Sequence, residues 1–239
     1  MNLRELRYKR VLMPLGVAPL LWLACLFASA QSPEPGSEQF IKQLRENAKR
    51  GDANAQHSLG FYYAIGNPHL GKPSMKEALS WYKKAAEQGL PEAAYKVGFC
   101  YEYAVGVSRP DLPEAAKWYR IAADKGVPEA QYKMGLFQAT GQAGLPRNSD
   151  VAFVWFRKAA EGGLATAQYE VGSYYKSGFQ GMTRDQVEAL KWFLIAASQG
   201  DERAVAGVEF QRKFGGMTAA QIADAERRAK EFVPRRQSQ

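Results

Sequence analysis

The sequence predicts an all-α solenoid of antiparallel helix pairs, and three observations predict it. Trp81, Trp118, Trp155 and Trp192 follow one another at intervals of 37 residues, and Gly89, Gly126, Gly163 and Gly200 keep the same step, as do Ala93, Ala130, Ala167 and Ala204. A fixed period of this size is the mark of stacked supersecondary units. Each Trp segment is preceded at constant distance by Ser74, Asp111, Asn148 or Asp185, all good helix N-cap residues. Each ends on glycine, the residue that most easily takes the left-handed conformation just past a helix.

In chain order, residues 1–30 read as a signal peptide. Arg4, Arg7, Lys9 and Arg10 precede an apolar run over 11–28, and Ala28-Ser29-Ala30 before Gln31 has the small-x-small form of a cleavage site. The alternative is an uncleaved inner-membrane anchor, since the run approaches the ~20 residues that span a bilayer; Pro14 and Pro19 count against it. Either way the folded part is expected outside the cytoplasm, in the periplasm or secreted. Cleavage removes four basic residues and one acidic, so 32 and 24 become 28 and 23, a net charge of +5. The mature chain keeps one cysteine, Cys100, which cannot form a disulfide within its own fold and falls at a packing position of the repeat.

Residues 31–39 are rich in Pro, Ser and Glu and are expected to form a flexible lead, followed by the solenoid over 40–216. Residues 40–50 resemble the second half of a unit. In the first full unit, Ser74 and Glu77 form a capping-box pattern. Ala78, Trp81 and Ala85 then lie at i, i+3 and i+7 on one helix face, and the triplet recurs in every unit. The indole is expected to fill the space between alanines that let a neighbouring helix approach. Pro91 and Pro128 open the next helices, where the missing N–H is harmless. Those helices carry Leu59-Gly60, Val97-Gly98, Met134-Gly135 and Val171-Gly172. A mid-helix glycine costs about 1 kcal/mol against alanine, so its recurrence predicts a close helix contact. Residues 201–214 look like a first helix without a Trp partner. Residues 217–239 then give a C-terminal capping helix and tail, with an apolar stripe of Ile222, Ala225, Ala229 and Phe232 opposite Arg227, Arg228 and Lys230.

The pattern A-x-x-x-L-G-x-x-Y…D-x-x-x-A-x-x-W-x-x-x-A-A-x-x-G resembles the Sel1-like repeat, a relative of the tetratricopeptide repeat, over about residues 53–200. Gln138 departs from it, standing where the repeat has Tyr, and the loop after Tyr101 is longer. The resemblance implies a right-handed superhelix of four full repeats with terminal half-repeats. It also implies a protein-binding adaptor.

Chemistry is sparsely represented. Residues 66–72 meet G-x-x-x-x-G-K, but Pro73 occupies the Ser/Thr place and no strand precedes it, so a phosphate loop is not expected. His57 and His69 have no Cys/His/carboxylate cluster of metal spacing around them. No catalytic site, metal or cofactor is expected. Lysines and arginines alternate with carboxylates (Lys83, Lys84, Glu87; Lys117, Arg120, Asp124), the pattern of a solvated face rather than a nucleic-acid surface. Membrane contact is expected only through the N-terminal segment, if uncleaved, or weakly through the basic C-terminal helix.

One constellation remains. Two residues before each Leu/Val/Met-Gly pair stand His57, Tyr95, Tyr132 and Tyr169, a ladder along one side of the stack. Phe61, Phe99, Leu136 and Ser173 lie beside it, with Glu102, Tyr103 and Lys176. If the hairpins stack as in tetratricopeptide relatives, that side is concave. Tyrosine is favoured at interfaces for its apolar area and hydroxyl, but the same residues would serve as packing. The expected function is an exported, monomeric, non-catalytic scaffold that binds a protein or peptide through this face. The alternatives are an envelope enzyme acting on cell-wall material, proposed for relatives with paired cysteines that this chain lacks, and a structural spacer in an envelope assembly.

Overall fold

The structure is a computed structural model that describes residues 33–178 and 183–235. The signal-peptide expectation over 1–30 lies outside the described residues. Eleven helices occur among those described: α1 (Glu38–Lys49), α2 (Ala53–Ile65), α3 (Met75–Glu87), α4 (Pro91–Glu102), α5 (Leu112–Asp124), α6 (Pro128–Thr140), α7 (Ser149–Glu161), α8 (Ala165–Ser177), α9 (Gln186–Ser198), α10 (Glu202–Phe214) and α11 (Ala219–Lys230). The tightest pairings are α2 with α3, α4 with α5, α6 with α7 and α8 with α9. These are the four predicted hairpins. Between them each second helix packs on the first helix of the next unit, and α1 adds a half-unit against α2.

Local chemistry sets the boundaries. Ser74, Asp111, Asn148 and Asp185 accept backbone N–H bonds at the starts of α3, α5, α7 and α9. Their own N–H groups donate to the carbonyls of Tyr63, Tyr101, Gln138 and Tyr175 at 2.8–3.0 Å. The same bond therefore closes every hairpin, although the loops differ in sequence and Gln138 replaces tyrosine. Gly89, Gly126, Gly163 and Gly200 all have φ near +90°, as the left-handed exit from a helix requires.

The close helix contact predicted from the repeated glycine is present, but its partner is not the tryptophan. A Cβ on Gly60, Gly98, Gly135 or Gly172 would come within 2.6–2.8 Å of the ring of Tyr82, Tyr119, Phe156 or Phe193. Each of these aromatics directly follows the repeat tryptophan and is buried. The indoles sit one position round the helix: Trp155 and Trp192 are buried, while Trp81 and Trp118 are half-buried. Lys84 covers Trp81 at 4.1 Å, and Arg120 covers Trp155 at 5.1 Å from the neighbouring second helix. The reason is angular. Successive helix positions are about 100° apart, so only one of the two can point at the glycine, and the indole is left to seal the seam between second helices.

The α11 helix packs on α9 rather than completing a hairpin with α10. Thr218 and Gln221 form a full capping box at its start. Ala225 is buried, Phe232 lies against Trp192 at 5.4 Å, and the Arg235 N–H donates to the Glu161 carbonyl at 2.8 Å. The basic side of this helix is largely neutralised, because Arg227 pairs with Asp224 and Glu231, and Arg228 with Asp224 and Glu188.

Candidate partner-binding face

The first helices α2, α4, α6, α8 and α10 follow one another along the stack, each packed on the second helix before it, or on α1 for α2, and side-chain contacts join α4 to α6 and α8 to α10. His57, Tyr95, Tyr132 and Tyr169 are half-buried along it. Each ring tilts against the core aromatic of its own hairpin: His57 on Tyr82, Tyr95 on Tyr119 and Tyr132 on Phe156 at 5.5 Å, and Tyr169 on Phe193 at 5.7 Å. The ladder is thus the outer layer of a two-deep aromatic stack. One edge packs and the other faces outward.

Beyond the ladder, towards the C-terminal ends of the same helices, stand the exposed apolar side chains. Phe61 is 47% exposed and Ile65 57%, Phe99 40% and Tyr103 50%, Phe210 44% and Phe214 64%. Each pair is spaced i, i+4 and so shares a helix face. Phe210 and Phe214 fall three 37-residue steps after Phe99 and Tyr103. That phase relation was available in the sequence, but α10 lacks a Trp partner and so did not register as part of the face. Leu136 and Ser173, the intervening positions, are half-buried, and Leu136 packs with the third-unit core.

Two charge networks join successive first helices. The Lys133 ammonium donates to Glu102 Oε1 at 2.8 Å and to the Tyr103 hydroxyl at 2.7 Å, while the Tyr119 hydroxyl donates to Glu102 Oε2 at 2.6 Å. Burial opposes the Lys133 charge, but these bonds outweigh it and hold its pKa above the ordinary lysine value. Burial, then the bond to Glu102, pushes the Tyr119 hydroxyl far up. Further along, Arg203 pairs with Asp201 at 2.9 Å and Glu170 at 3.5 Å and lies 4.3 Å over the Tyr169 ring. Burial raises the Glu170 carboxyl against the pull of Arg203. Lys176 lies 4.1 Å over the Phe210 ring. Lys133 and Arg203 could not be picked out beforehand, because their repeat positions hold Lys96 and Glu170, and Thr166, in neighbouring units.

A second set of bonds also escaped the sequence reading. Gln56, Gln131 and Gln168 are buried and donate to the carbonyls of Ala48, Ala123 and Ala160 at 3.0–3.2 Å. They tie α2, α6 and α8 to the end of the helix that precedes each. The 37-residue step from Gln131 to Gln168 was the available signal, interrupted at Ala94.

His57 couples this face to pH. Burial and then the Lys96 charge lower its pKa below 6.5, and its Nε2 is buried without a hydrogen-bond partner. The folded protein therefore binds this proton less readily than the unfolded chain. Stability contributed by neutral His57 is present above about pH 6.5 and is lost as pH falls through that value towards the folded pKa. Denaturant midpoints at about pH 7.5 and about pH 5 should diverge more for wild type than for His57→Phe. Equal divergence would show that His57 is not the group responsible.

The remaining chemical candidates stay apart. No cluster of three His, Cys, Asp or Glu side chains that could hold a metal occurs among the described residues. Cys100 is buried and its thiol is pushed up to about 11 by that burial. The loop holding His69 folds onto itself, with Asn67 donating to the Gly36 carbonyl at 2.9 Å and accepting from the His69 N–H. No described helix is long and apolar enough to cross a membrane.

Residues 53–90, 91–127, 128–164 and 165–201 each match the Sel1 repeat. Among solved structures, the chain is similar to c5321, a protective antigen of uropathogenic Escherichia coli strains displaying an SLR fold. The identity is 29% with a TM-score of 0.69, over 89% of this chain and 44% of that one. It is also similar to a Sel1 repeat protein from Oxalobacter formigenes, at 35% identity and a TM-score of 0.65, over 72% of this chain and 49% of that one. This chain thus spans under half the length of either protein. Four consecutive matched repeats, folded as four hairpins with one shared glycine–aromatic seam, establish that the chain belongs to the Sel1 repeat family.

Proposed function

We propose that this protein is an exported, non-catalytic scaffold that binds a protein or peptide partner through the face of its first helices. One observation carries this reading. Six of the large apolar side chains that remain exposed fall on first helices, or at the residue capping one, at the same two repeat positions, namely Phe61, Phe99 and Phe210, and Ile65, Tyr103 and Phe214. Packing requirements place the glycines and core aromatics but give no reason to expose phenylalanine in register. Rigid aromatic anchors are what a recognition surface uses. The adaptor role usual for Sel1 repeats supports the same reading, and the charged, apolar and small-x-small order of residues 1–30 supports export.

The test is affinity capture after crosslinking in an envelope extract, wild type beside the Phe99→Ser/Tyr103→Ser variant, with circular dichroism on both. Both positions are exposed, and Lys133 keeps its bond to Glu102 when the Tyr103 hydroxyl is lost, so the variant is expected to fold. A partner retained by wild type should be lost or weakened about thirtyfold or more, the effect of losing an aromatic anchor. Equal capture by both proteins would remove this face from consideration.

A further inference from the structure

Resting on that reading, we infer that the segment bound by the first-helix face is acidic as well as apolar, with its carboxylates at the α8–α10 end. The charges along the face divide into those held in pairs and those left over. Glu102 is bound by Lys133 and Tyr119, and Glu170 and Asp201 share Arg203. Glu92 and Glu129 are exposed in the first turns of α4 and α6, at the opposite edge from the exposed aromatics, with Lys96 one turn further along α4. The apolar edge itself, where the C-terminal ends of the helices line up, is different. Its cations include Lys176 and Lys213, which lie over rings rather than in an ion pair among the described residues, while Arg212 pairs with Glu226 and the exposed Glu209 stands one turn before Lys213 on α10.

Both lysines instead lie over phenylalanine rings, Lys176 at 4.1 Å from the Phe210 centroid and Lys213 at 5.2 Å from that of Phe214. The two rings are themselves 5.3 Å apart. A lysine held over an aromatic face keeps its ammonium near an apolar surface while leaving donors free. The pair of rings thus offers apolar contact with two unclaimed positive charges at its border. At the other end, beside Phe99 and Tyr103, Lys133 is taken up by Glu102 and the Tyr103 hydroxyl. A segment that places apolar side chains along the edge and carboxylates over Lys176 and Lys213 satisfies both ends. A basic segment would meet like charge there, which suppresses wrong partners.

Selection from a random peptide library on the full mature chain tests this. The immobilised baits are wild type, Lys176→Glu/Lys213→Glu, and Phe99→Ser/Tyr103→Ser, and Lys176→Gln/Lys213→Gln serves as a milder control for folding. Wild type should enrich peptides carrying Asp or Glu together with Phe, Leu or Trp. Their affinity should fall about tenfold or more on charge reversal and weaken with added salt. Replacing the acids of a selected peptide by Asn and Gln should produce a comparable loss. Peptides that bind wild type, lose binding to the Phe99/Tyr103 variant and ignore the lysine changes would overturn the acidic assignment while leaving the face intact. Selected peptides that bind all four proteins equally, or no selection at all, would overturn the reading of the face and the acidic assignment with it.

Discussion

Phe156→Ala should lower the unfolding free energy by about 3–5 kcal/mol, the usual cost of deleting a buried aromatic. The ring is buried at the centre of the third hairpin, 2.6 Å from the point where a Cβ on Gly135 would stand and 5.5 Å from the Tyr132 ring. No other group can fill that space, because Gly135 presents only backbone. The complementary change, Gly135→Ala, gains about 1 kcal/mol of helix propensity but drives a methyl into the ring, and overpacking of this kind costs about 1–3 kcal/mol. The two are coupled: Gly135→Ala should be far less harmful beside Phe156→Leu, and urea unfolding of the four proteins of the cycle measures the difference. Because each repeat contacts chiefly its neighbours, hydrogen exchange should report the largest loss of protection in α6 and α7. Additive costs would mean that the glycine and the aromatic do not form the seam.

The second large effect is expected at the network joining α4 to α6. Lys133→Met removes the cation from Glu102, whose side chain is 14% exposed against 16% for the lysine. Losing one member of a buried pair costs about 3–5 kcal/mol, and partial hydration brings the expected cost here to about 2–3 kcal/mol. Glu102 then keeps only the bond from Tyr119. Adding Glu102→Gln should restore most of the loss, since an amide oxygen still accepts the Tyr119 hydroxyl and no charge is stranded. If Lys133→Met alone proves neutral by thermal and denaturant unfolding, the pair is solvated and does not brace the face.

The parts of this molecule that repeat were legible in its sequence. The 37-residue step located all four hairpins, the capping residues set their second helices, and the mid-helix glycines announced a close contact. The identity of that contact was less legible. Tryptophan is the more recurrent residue, yet Tyr82, Tyr119, Phe156 and Phe193 fill the seam, because the choice between adjacent helix positions depends on a rotation that periodicity leaves open. The candidate face divides in the same way. Phe61, Phe99 and Tyr103 emerge exposed, whereas the tyrosine ladder proves half packing and half surface. Lys133 and Arg203 were out of reach, since their roles arise between units rather than within the repeated pattern, whereas Phe210 and Phe214 keep the 37-residue phase on a helix that lacks a Trp partner.

Hydroxyl-radical footprinting of the protein, alone and with its captured partner, tests the central claim most directly. Phe and Tyr are readily labelled, and the face carries exposed examples at both ends. The account predicts protection at Phe61, Phe99, Tyr103, Phe210 and Phe214, with little change at Trp81 and Trp118 on the second helices. Protection confined to the second helices or to α11, with the first-helix aromatics still labelled, would contradict it.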